Sequence, residues 1–505
     1  MGALPTSATV AVIGAGTMGA GIAQVAAQAG HPVLLYDAAA GAAERGVQGI
    51  LRTLGKLVDK GRLGADALAD IRGRLRAAAT LEELAPAGLV IEAIVENLDV
   101  KRELFARLEA LVAADAILAT NTSSISVTAI AAKLGRPGRL AGMHFFNPAP
   151  LMKLVEVVSG LATSAEVAAR VHATCEAWGK APVHAKSTPG FIVNRVARPY
   201  YAEGLRLLGE GAADVATLDA LLREAGGFRM GPFELMDLIG HDVNFAVTSS
   251  VFAAYFNDPR FTPSLIQQEL VAAGYLGRKS GRGFYDYAEG APAHTPATLA
   301  PGPAPQAVHI AGPLGVAEPL IERLRAGGVV VTHGEGSGLI VADGVTLALT
   351  DGRSATERAW ADDLGELVLF DLALDFASTP RLALAAAEQA APGAILLAAG
   401  LLRAAGIATS RLTDVPGLAV MRTVAMLANE GADAVNQGVC SAAAVDVAMQ
   451  GGVNYPRGPL AWADAIGLPE VLTVLDNLAA SYGEDRYRAS PLLRRHVYAK
   501  RRFHD

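Results

Sequence analysis

The chain has 505 residues, of which 51% are hydrophobic and 18% are charged, and its formal net charge is −7. This length predicts more than one domain, and the composition excludes a disordered or fibrous protein. The negative net charge argues against nucleic acid as a partner, and no apolar run is long enough to predict a membrane span. The two cysteines, Cys175 and Cys440, are far apart, which predicts a cytoplasmic protein without a disulfide framework.

A dinucleotide-binding unit is predicted at the start of the chain. Residues 9–13 (TVAVI) have the pattern of a buried strand and run into GAGTMG; a helix and a second strand ending at Asp37 follow. The glycines have the G-x-G-x-x-G spacing that lets the backbone approach a pyrophosphate at a helix N-terminus. Asp37 would accept hydrogen bonds from ribose hydroxyls and repel a 2′-phosphate, which favours NAD over NADP. The predicted contacts from this loop are Gly14, Ala15, Gly16, Thr17, Met18 and Gly19.

Residues 40–80 are predicted to form a helical arm rich in arginine and lysine. The arm is either a solvated helix face or, in part, the place where a phosphate-bearing substrate binds. A strand is expected near Leu89, and a later strand ends in NTSS. Ser123 of NTSS then lies beyond the carboxyl end of a strand, where doubly wound sheets bind ligands, although serine there also caps helices. Glu96 and Lys101 follow another strand end and are candidates for the same ligand.

The segment HFFNPAPLMKLVEVV, residues 144–158, carries a histidine and a lone glutamate in a nearly continuous apolar stretch. Two strands joined by a turn at Pro148 and Pro150 would place His144 directly opposite Glu156. The glutamate would then hold one imidazole nitrogen and leave the other to accept a proton, as a general base requires. The alternative is a purely structural His–Glu bond in the core, and the neighbouring nucleotide fold favours the general base.

Six segments, GAGTMG, VIEAIVENLDVKRELF, NTSS, HFFNPAPLMKLVEVV, TPGFIVNR and MGPFELMD, resemble the 3-hydroxyacyl-CoA dehydrogenase family over residues 8–287. The resemblance implies NAD-dependent oxidation of a (3S)-3-hydroxyacyl-CoA to a 3-oxoacyl-CoA, without a metal. The catalytic residues that it implies are His144, Glu156, Ser123 and Asn194. The implied cofactor contacts also include Asp37, Glu96, Lys101, Asn121, Ser123 and Asn147. The implied coenzyme A and substrate contacts are Thr53, Lys60, Ser123 and Asn194.

The resemblance also bears on the acyl group of the substrate. The chain length and the second half of the sequence favour 3-hydroxyadipyl-CoA, a dicarboxylic intermediate of bacterial phenylacetate degradation. The alternatives are 3-hydroxybutyryl-CoA and longer fatty 3-hydroxyacyl-CoA thioesters. A hypothesis from another class is a catalytically silent relative that serves as a structural or binding protein; retention of all four catalytic positions argues against it.

An internal repeat defines the predicted domains. Ten positions between Pro189 and Gly240 recur between Pro416 and Gly467 at a constant offset of 227 residues. We therefore expect an α/β Rossmann-type NAD-binding domain plus an all-α C-terminal domain, followed by a degenerate, truncated second copy of both. The predicted ranges are 1–187 (NAD-binding), 188–287 (helical), 288–306 (proline-rich linker), 307–411 (vestigial Rossmann-like) and 412–505 (second helical).

The second copy is expected to lack the chemistry of the first. Its loop AGPLGV does not keep the full glycine spacing, and Met421 replaces Asn194. The segment ELVLFDLALD resembles LVIEAIVENLD, which would leave the counterpart of the HFFNP segment missing. We therefore expect no NAD in the second copy. Its helical domain is expected to pack on the first as an intrachain pseudo-dimer, and a homodimer of whole chains is left open.

Overall fold

The computed structural model of the chain describes residues 2–505 and divides into two compact units. The first unit comprises residues 2–195 and 437–453, and the second comprises residues 196–436 and 454–505. A stretch from late in the chain therefore belongs to the first unit. Within residues 2–505, no helix combines the length and apolar character needed to cross a bilayer.

An eight-stranded sheet forms the centre of the first unit. Its strands are β1 (Thr9–Ile13), β2 (Val33–Tyr36), β3 (Leu75–Ala77), β4 (Ala87–Glu92), β5 (Ile117–Thr120), β6 (Leu140–Phe145), β7 (Leu154–Ser159) and β8 (Ala181–Lys186). The spatial order is β3-β2-β1-β4-β5-β6-β7-β8, and only β6 and β7 are antiparallel. The strand order reverses between β1 and β4, which is where doubly wound sheets bind their ligands.

Helices connect these strands and cover the sheet. They are α1 (Thr17–Gln28), α2 (Ala42–Asp59), α3 (Ala65–Arg74), α4 (Leu98–Leu111), α5 (Val127–Ala131), α6 (Ala165–Ala177) and α7 (Val193–Val196). The predicted arm, residues 40–80, is not wholly helical, because its residues Leu75–Ala77 form β3 and pair with β2. Leu75 is buried and pairs with Val33, so extension of the sheet by one edge strand is accompanied by burial of this apolar side chain.

The second unit begins with five helices. They are α8 (Arg198–Gly209), α9 (Val215–Glu224), α10 (Pro232–Ile239), α11 (His241–Ala254) and α12 (Leu265–Ala272). Residues 288–306, the predicted linker, contain neither helix nor strand. They are nevertheless fixed by backbone hydrogen bonds, for example from Leu299 to Thr409 at 2.8 Å and from Gly302 to Leu396 at 2.9 Å.

A seven-stranded sheet follows in the second unit, with the spatial order β10-β9-β11-β12-β13-β14-β15. Its strands are β9 (Ala307–Ala311), β10 (Val330–Gly334), β11 (Leu339–Ala342), β12 (Val345–Leu349), β13 (Leu367–Phe370), β14 (Arg381–Ala386) and β15 (Ala408–Arg411). Its helices are α13 (Leu320–Ala326), α14 (Ala355–Ala361) and α15 (Pro392–Ala404). This α/β layer has fewer strands and helices than that of the first unit, so it is a reduced form of the same kind of layer.

The remaining helices are α16 (Val420–Asn436), α17 (Ala442–Val453), α18 (Pro459–Ile466), α19 (Leu468–Tyr482) and α20 (Pro491–Tyr498). In the second unit α16 packs against α8. Arg422 of α16 and Glu203 of α8 are both fully buried, with Nε and Oε2 2.6 Å apart. In the first unit α17 packs against β7 and β8 instead.

The registers of the two sheets correspond at the offset found in the helical repeat. Leu154 pairs with Ala181 across β7 and β8, and Arg381 pairs with Ala408 across β14 and β15, 227 residues later. β13 and β14 are antiparallel, as β6 and β7 are. The expectation that the counterpart of the HFFNP segment is missing is therefore wrong. ELVLFDLALD resembles β4 only because both are apolar strands, and pairing, not composition, distinguishes them.

Asp371 follows β13 at the register position that His144 occupies in β6. The amide of Asp371 donates to the carbonyl oxygen of Ala383, which corresponds to Glu156. The Asp371 carboxylate is buried and accepts hydrogen bonds from the amides of Ala419, Val420, Met421 and Leu372. The second sheet thus has a buried carboxylate at this place but no imidazole.

Candidate active site

Three glycines shape the loop between β1 and α1. Gly14 has a φ of +100°, which other residues rarely adopt, and a Cβ there would overlap the carbonyl group of Ala93. A Cβ at Gly19 would overlap the carbonyl oxygen of Gly14, so only glycine allows α1 to lie this close to the loop. Gly16 is the N-cap of α1, and no side chain caps the helix. The first amides of α1, from Thr17 onward, therefore suit an anion such as a pyrophosphate.

Asp37 lies beside this loop, at the end of β2. Its Oδ2 accepts a hydrogen bond from the amide of Ala15 at 2.7 Å, and its Oδ1 accepts one from the amide of Ala39 at 2.9 Å. Two clefts of about 630 and 510 Å³ in the first unit are both lined by Asp37 and Gly16. This is the place where an acid between a ribose and a pyrophosphate is expected.

An ion-pair cluster around the buried Lys101 lies at the ends of β4 and β5. Nζ of Lys101 lies 2.6 Å from Oε1 of Glu92 and 3.1 Å from Oε2 of Glu96, and the Lys101 side chain is only 1% exposed. Oε1 of Glu96 accepts hydrogen bonds from the hydroxyl of Thr122 at 2.5 Å and from the amide of Ser123 at 3.2 Å. Burial favours protonation of Glu96, but Thr122 and the charge of Lys101 outweigh it and hold the pKa of Glu96 below its ordinary value. Lys101 therefore lies behind Glu96 and fixes it.

His144 and Glu156 face one another across β6 and β7, which confirms the predicted pairing. The His144 Nδ1 and the Glu156 Oε2 are 2.6 Å apart, and the two residues are 6% and 0% exposed. The other oxygen, Oε1, accepts hydrogen bonds from the amides of Ile192 and Val193, both at 2.9 Å. Because Nδ1 is bound to the carboxylate, Nε2 is the nitrogen that can serve a ligand.

Ser123 and Asn194 lie next to this pair. Nδ2 of Asn194 is 3.5 Å from the carbonyl oxygen of Ser123, at the outer limit of a hydrogen bond. Asn194 directly follows Val193, whose amide binds Glu156. The structure therefore brings all four predicted catalytic residues into one connected group, of which Ser123 and Asn194 are half-buried.

The remaining predicted contacts lie around this group or on α2. Oδ1 of Asn121 accepts a hydrogen bond from the amide of Phe145 at 2.9 Å, and Asn147 is exposed in the turn after β6. Thr53 lines the same cleft as Gly16 and Asp37, and its hydroxyl donates to the carbonyl oxygen of Gly49. Lys60 is exposed at the C-terminal end of α2.

Sequence reasoning missed two buried groups that support the site. Glu92 accepts hydrogen bonds from Lys101 and from the hydroxyl of Thr120, and Thr122 donates to Glu96. The signal for Glu92 is its position at the end of an apolar strand, where a charged side chain needs a buried partner. The place of α17 was also predicted wrongly: residues 412–505 were expected to pack on residues 188–287, whereas α17 packs on β7 and β8. No local pattern indicates that a helix packs on a sheet so far away in sequence.

Family models match most of the chain. The "3-hydroxyacyl-CoA dehydrogenase, NAD binding domain" matches residues 9–188. The "3-hydroxyacyl-CoA dehydrogenase, C-terminal domain" matches twice, over residues 190–287 and 417–502. The "3-hydroxybutyryl-CoA dehydrogenase reduced Rossmann-fold domain" matches residues 347–416. The first half is thus a Rossmann-type NAD-binding domain with a helical domain, and the second half contains a reduced Rossmann-fold domain.

Individual relatives agree with these matches. The 3-hydroxyadipyl-CoA dehydrogenase of Escherichia coli K12 is 46% identical over 486 residues, which cover 96% of each chain. A crystal structure described as 3-hydroxybutyryl-CoA dehydrogenase from Escherichia coli K12 is 45% identical with a TM-score of 0.90, and the match covers 98% of this chain and 99% of that one. A probable 3-hydroxybutyryl-CoA dehydrogenase of Deinococcus radiodurans is 44% identical and covers 55% of this chain and 99% of its own. The chain belongs to the 3-hydroxyacyl-CoA dehydrogenase family and is an NAD-dependent oxidoreductase.

Proposed function

We propose that the chain oxidises the 3-hydroxyl group of a (3S)-3-hydroxyacyl-CoA to a 3-oxoacyl-CoA, with His144 as the general base. The bond between His144 and Glu156 carries this proposal. A buried carboxylate on Nδ1 fixes the orientation and tautomer of the imidazole and stabilises the imidazolium that forms on proton transfer. Both residues lie in the unit that contains the glycine loop, as a redox reaction with a dinucleotide requires.

In the proposed step, Nε2 of His144 takes the hydroxyl proton while the C3–H bond breaks with its electron pair and the C3=O double bond forms. NAD, when bound, supplies the acceptor for that hydride. Asn194 and the hydroxyl of Ser123 would hold the hydroxyl and thioester oxygens, so that C3 is oriented before reaction. Glu156 acts through His144, which it orients.

We assign the cofactor contacts to residues of the loop and the strand ends. The open helix terminus and the close approach allowed by glycine fit a pyrophosphate, and Asp37 fits the adenosine ribose. Lys101 would act by holding Glu96 in place. The full set proposed is Gly14, Ala15, Gly16, Thr17, Met18, Gly19, Asp37, Glu96, Lys101, Asn121, Ser123 and Asn147. For coenzyme A we propose Thr53 of α2 and Lys60, which follows the helix, and for the acyl part Ser123 and Asn194.

We propose 3-hydroxyadipyl-CoA as the substrate. The relative of that name matches this chain over 96% of both lengths, including the second half. The alternative, 3-hydroxybutyryl-CoA, rests on the description of the full-length crystal structure with a TM-score of 0.90. Both thioesters have the same reacting carbon. They differ at the far end of the acyl chain, which is a carboxylate in the adipyl group and a methyl group in the butyryl group.

The test is the rate of NADH formation by the full chain with 3-hydroxyadipyl-CoA, 3-hydroxybutyryl-CoA and a long-chain 3-hydroxyacyl-CoA. We expect the highest kcat/KM with the adipyl thioester. A higher value with the butyryl or the long-chain thioester would refute the dicarboxylic substrate and keep the reaction. No NADH from any of the three would reject the reaction and favour a catalytically silent relative.

We further propose that the second half arose as a degenerate copy, with domains at 1–187, 188–287, 307–411 and 412–505 and a linker at 288–306. The constant offset in helices and strand registers and the double match of the C-terminal family model support this. The packing of α16 on α8 supports an intrachain pseudo-dimer. The full chain should therefore sediment as a monomer, or as a homodimer of whole chains, whereas a chain ending at residue 288 should self-associate or aggregate. The unpaired cysteines suit a cytoplasmic location.

A further inference from the structure

Helix α17 comes from the region matched by the second copy of the C-terminal family model, yet it belongs to the first unit. It packs against β7, which carries Glu156, and against β8. The residues before it are tied to the same sheet, because the amide of Lys186 at the end of β8 donates to the carbonyl oxygen of Val439 at 2.9 Å. The second half of the chain therefore supplies a helix to the sheet that holds the general base.

Gly452 lies where α17 passes close to the catalytic segments. A Cβ at this position would lie 2.6 Å from Cδ2 of Leu154, 3.1 Å from Cγ2 of Val193 and 3.6 Å from Cε1 of Phe146. The first distance is shorter than real Cβ atoms show, and the second is tighter than most. A side chain at residue 452 would therefore require Leu154 and Val193 to shift.

Two of the residues that Gly452 faces, Val193 and Phe146, contact the pair of Glu156 and His144. The amide of Val193 donates to Oε1 of Glu156 at 2.9 Å. The ring of Phe146 packs on the imidazole of His144, with ring centres 4.5 Å apart. A shift of Val193 or Phe146 would therefore move the carboxylate or the imidazole, and Asn194 follows Val193 in the chain.

A second contact joins the same segments. Nη1 of Arg195 donates to Oε1 of Gln437 at 2.9 Å, and Arg195 directly follows Asn194. Burial and, secondarily, the charge of Glu156 raise the pKa of the Cys440 thiol, near the start of this stretch, to about 12. Gln437, at one end of residues 437–453, thus contacts Arg195, and Gly452, near the other end, faces Val193. Val193 and Arg195 are the two chain neighbours of Asn194.

The second unit offers an internal comparison. There α9 packs against β14, and Ala225 at its C-terminal end corresponds to Gly452 at the offset of 227 residues. Phe146 corresponds to Ala373, and no imidazole stands at the position of His144. An alanine is therefore compatible with seating such a helix on such a sheet. Glycine is present beside the sheet that carries the histidine.

We propose that α17 is part of the active site and that Gly452 and Gln437 are positioning residues for Glu156, His144 and Asn194. This inference rests on the proposed function, since it takes His144 as the general base. The second half of the chain then has a role in the reaction of the first half, because its helix α17 holds the general base in position. Neither residue is expected to touch the cofactor.

The experiment compares G452A with G393A in the full chain. Gly393 lies in α15, where an added Cβ meets nothing within 4 Å, so it controls for the change in helix propensity. We expect G452A to keep its thermal midpoint and its KM for NAD, to lose about tenfold in kcat and to change the pH profile of kcat/KM. Q437L should have the same effect in weaker form, and Q437E, which keeps an acceptor for Arg195, should restore the wild-type values.

The proton NMR signal of the imidazole N–H bound by Glu156 gives a readout that needs no turnover. We expect this signal to move in G452A and to stay in place in G393A. If G452A and Q437L leave both the pH profile and the signal as in wild type, the inference is wrong. If wild type itself forms no NADH from any 3-hydroxyacyl-CoA, the proposed function fails, and the NMR comparison still decides whether α17 positions the pair.

Discussion

Glu156 holds His144 at 2.6 Å through one carboxylate oxygen and uses its other oxygen for two backbone amides. The same carboxylate thus fixes the imidazole and the segment that leads into Asn194. The three hydrogen bonds of this carboxylate therefore join β6 to the segment of Ile192 and Val193. His144, the proposed general base, and Asn194, the residue proposed to orient the substrate, are therefore linked through Glu156.

Replacement of His144 by glutamine should lower kcat by about 10²–10⁴. Glutamine fills similar space but cannot accept the hydroxyl proton. The dissociation constant for NAD, measured by fluorescence titration, should stay close to that of wild type, because the glycine loop is unchanged. Near-full activity in H144Q would defeat the assignment of the general base.

The variant E156Q tests the orienting role separately. If the glutamine oxygen keeps the two amides, its NH₂ group faces Nδ1 of His144 and makes that nitrogen an acceptor. The imidazole proton then moves to Nε2, which can no longer take a proton from the substrate. We expect a loss of about 10²–10⁴ in kcat with the fold retained by circular dichroism. A fully active E156Q would show that the tautomer is unimportant.

The variant D37A removes the acceptor for the amides of Ala15 and Ala39 together with the negative charge. We expect NAD to bind about tenfold more weakly or worse and the preference for NAD over NADP to decrease. D37N, which keeps one acceptor oxygen but loses the charge, separates the two effects. Should the ratio of kcat/KM values for the two cofactors stay constant in both variants, Asp37 does not select between them.

Loss of Arg422 should destabilise the second unit. Its Nε binds Glu203 at 2.6 Å, its guanidinium also binds the hydroxyls of Tyr482 and Tyr487, and Arg422 and Glu203 are fully buried. R422A leaves a buried carboxylate without its cation, so the free energy of unfolding in urea should fall by about 3–5 kcal/mol. R223A, which breaks a half-exposed pair, should cost no more than about 1 kcal/mol. Equal effects would contradict this prediction.

Asp371 should give the protein a measurable dependence of stability on pH. Burial raises the pKa of Asp371 from 3.8 to about 6, although its backbone hydrogen bonds oppose the shift. Because the pKa of Asp371 is higher in the folded state than in the unfolded chain, protonation of this carboxyl favours folding. Its contribution to the free energy of unfolding is complete below pH 3.8 and is lost as the pH rises through about 6. The urea midpoint of wild type minus that of D371N should therefore decrease over this range. An increase or a flat difference would refute the sign.

Local patterns in the sequence predict the first half well. The strand, glycine loop and Asp37 follow from adjacent residues, and the prolines between β6 and β7 set the register that joins His144 to Glu156. In the loop and in the hairpin the interacting residues lie within one supersecondary unit, so their spacing in the sequence determines which residues are in contact.

Features that depend on distant partners could not be predicted in this way. Lys101 has the pattern of an exposed helix residue and is buried because Glu92 and Glu96 meet it. The strand β13 has the composition of β4, and only its antiparallel partner β14 reveals its place. The three residues of β3 are too few to give a period, and their pairing with β2 decides their state.

Asp371 shows that a buried carboxylate can hold the start of a helix against a sheet at a place where no imidazole is present. The second sheet has a carboxylate bound to backbone amides and no imidazole at the register position of His144. A genome search based on fold alone would assign two active sites to this chain, although its residues provide one histidine–glutamate pair. Calorimetric titration with NAD should accordingly saturate at a single equivalent per polypeptide.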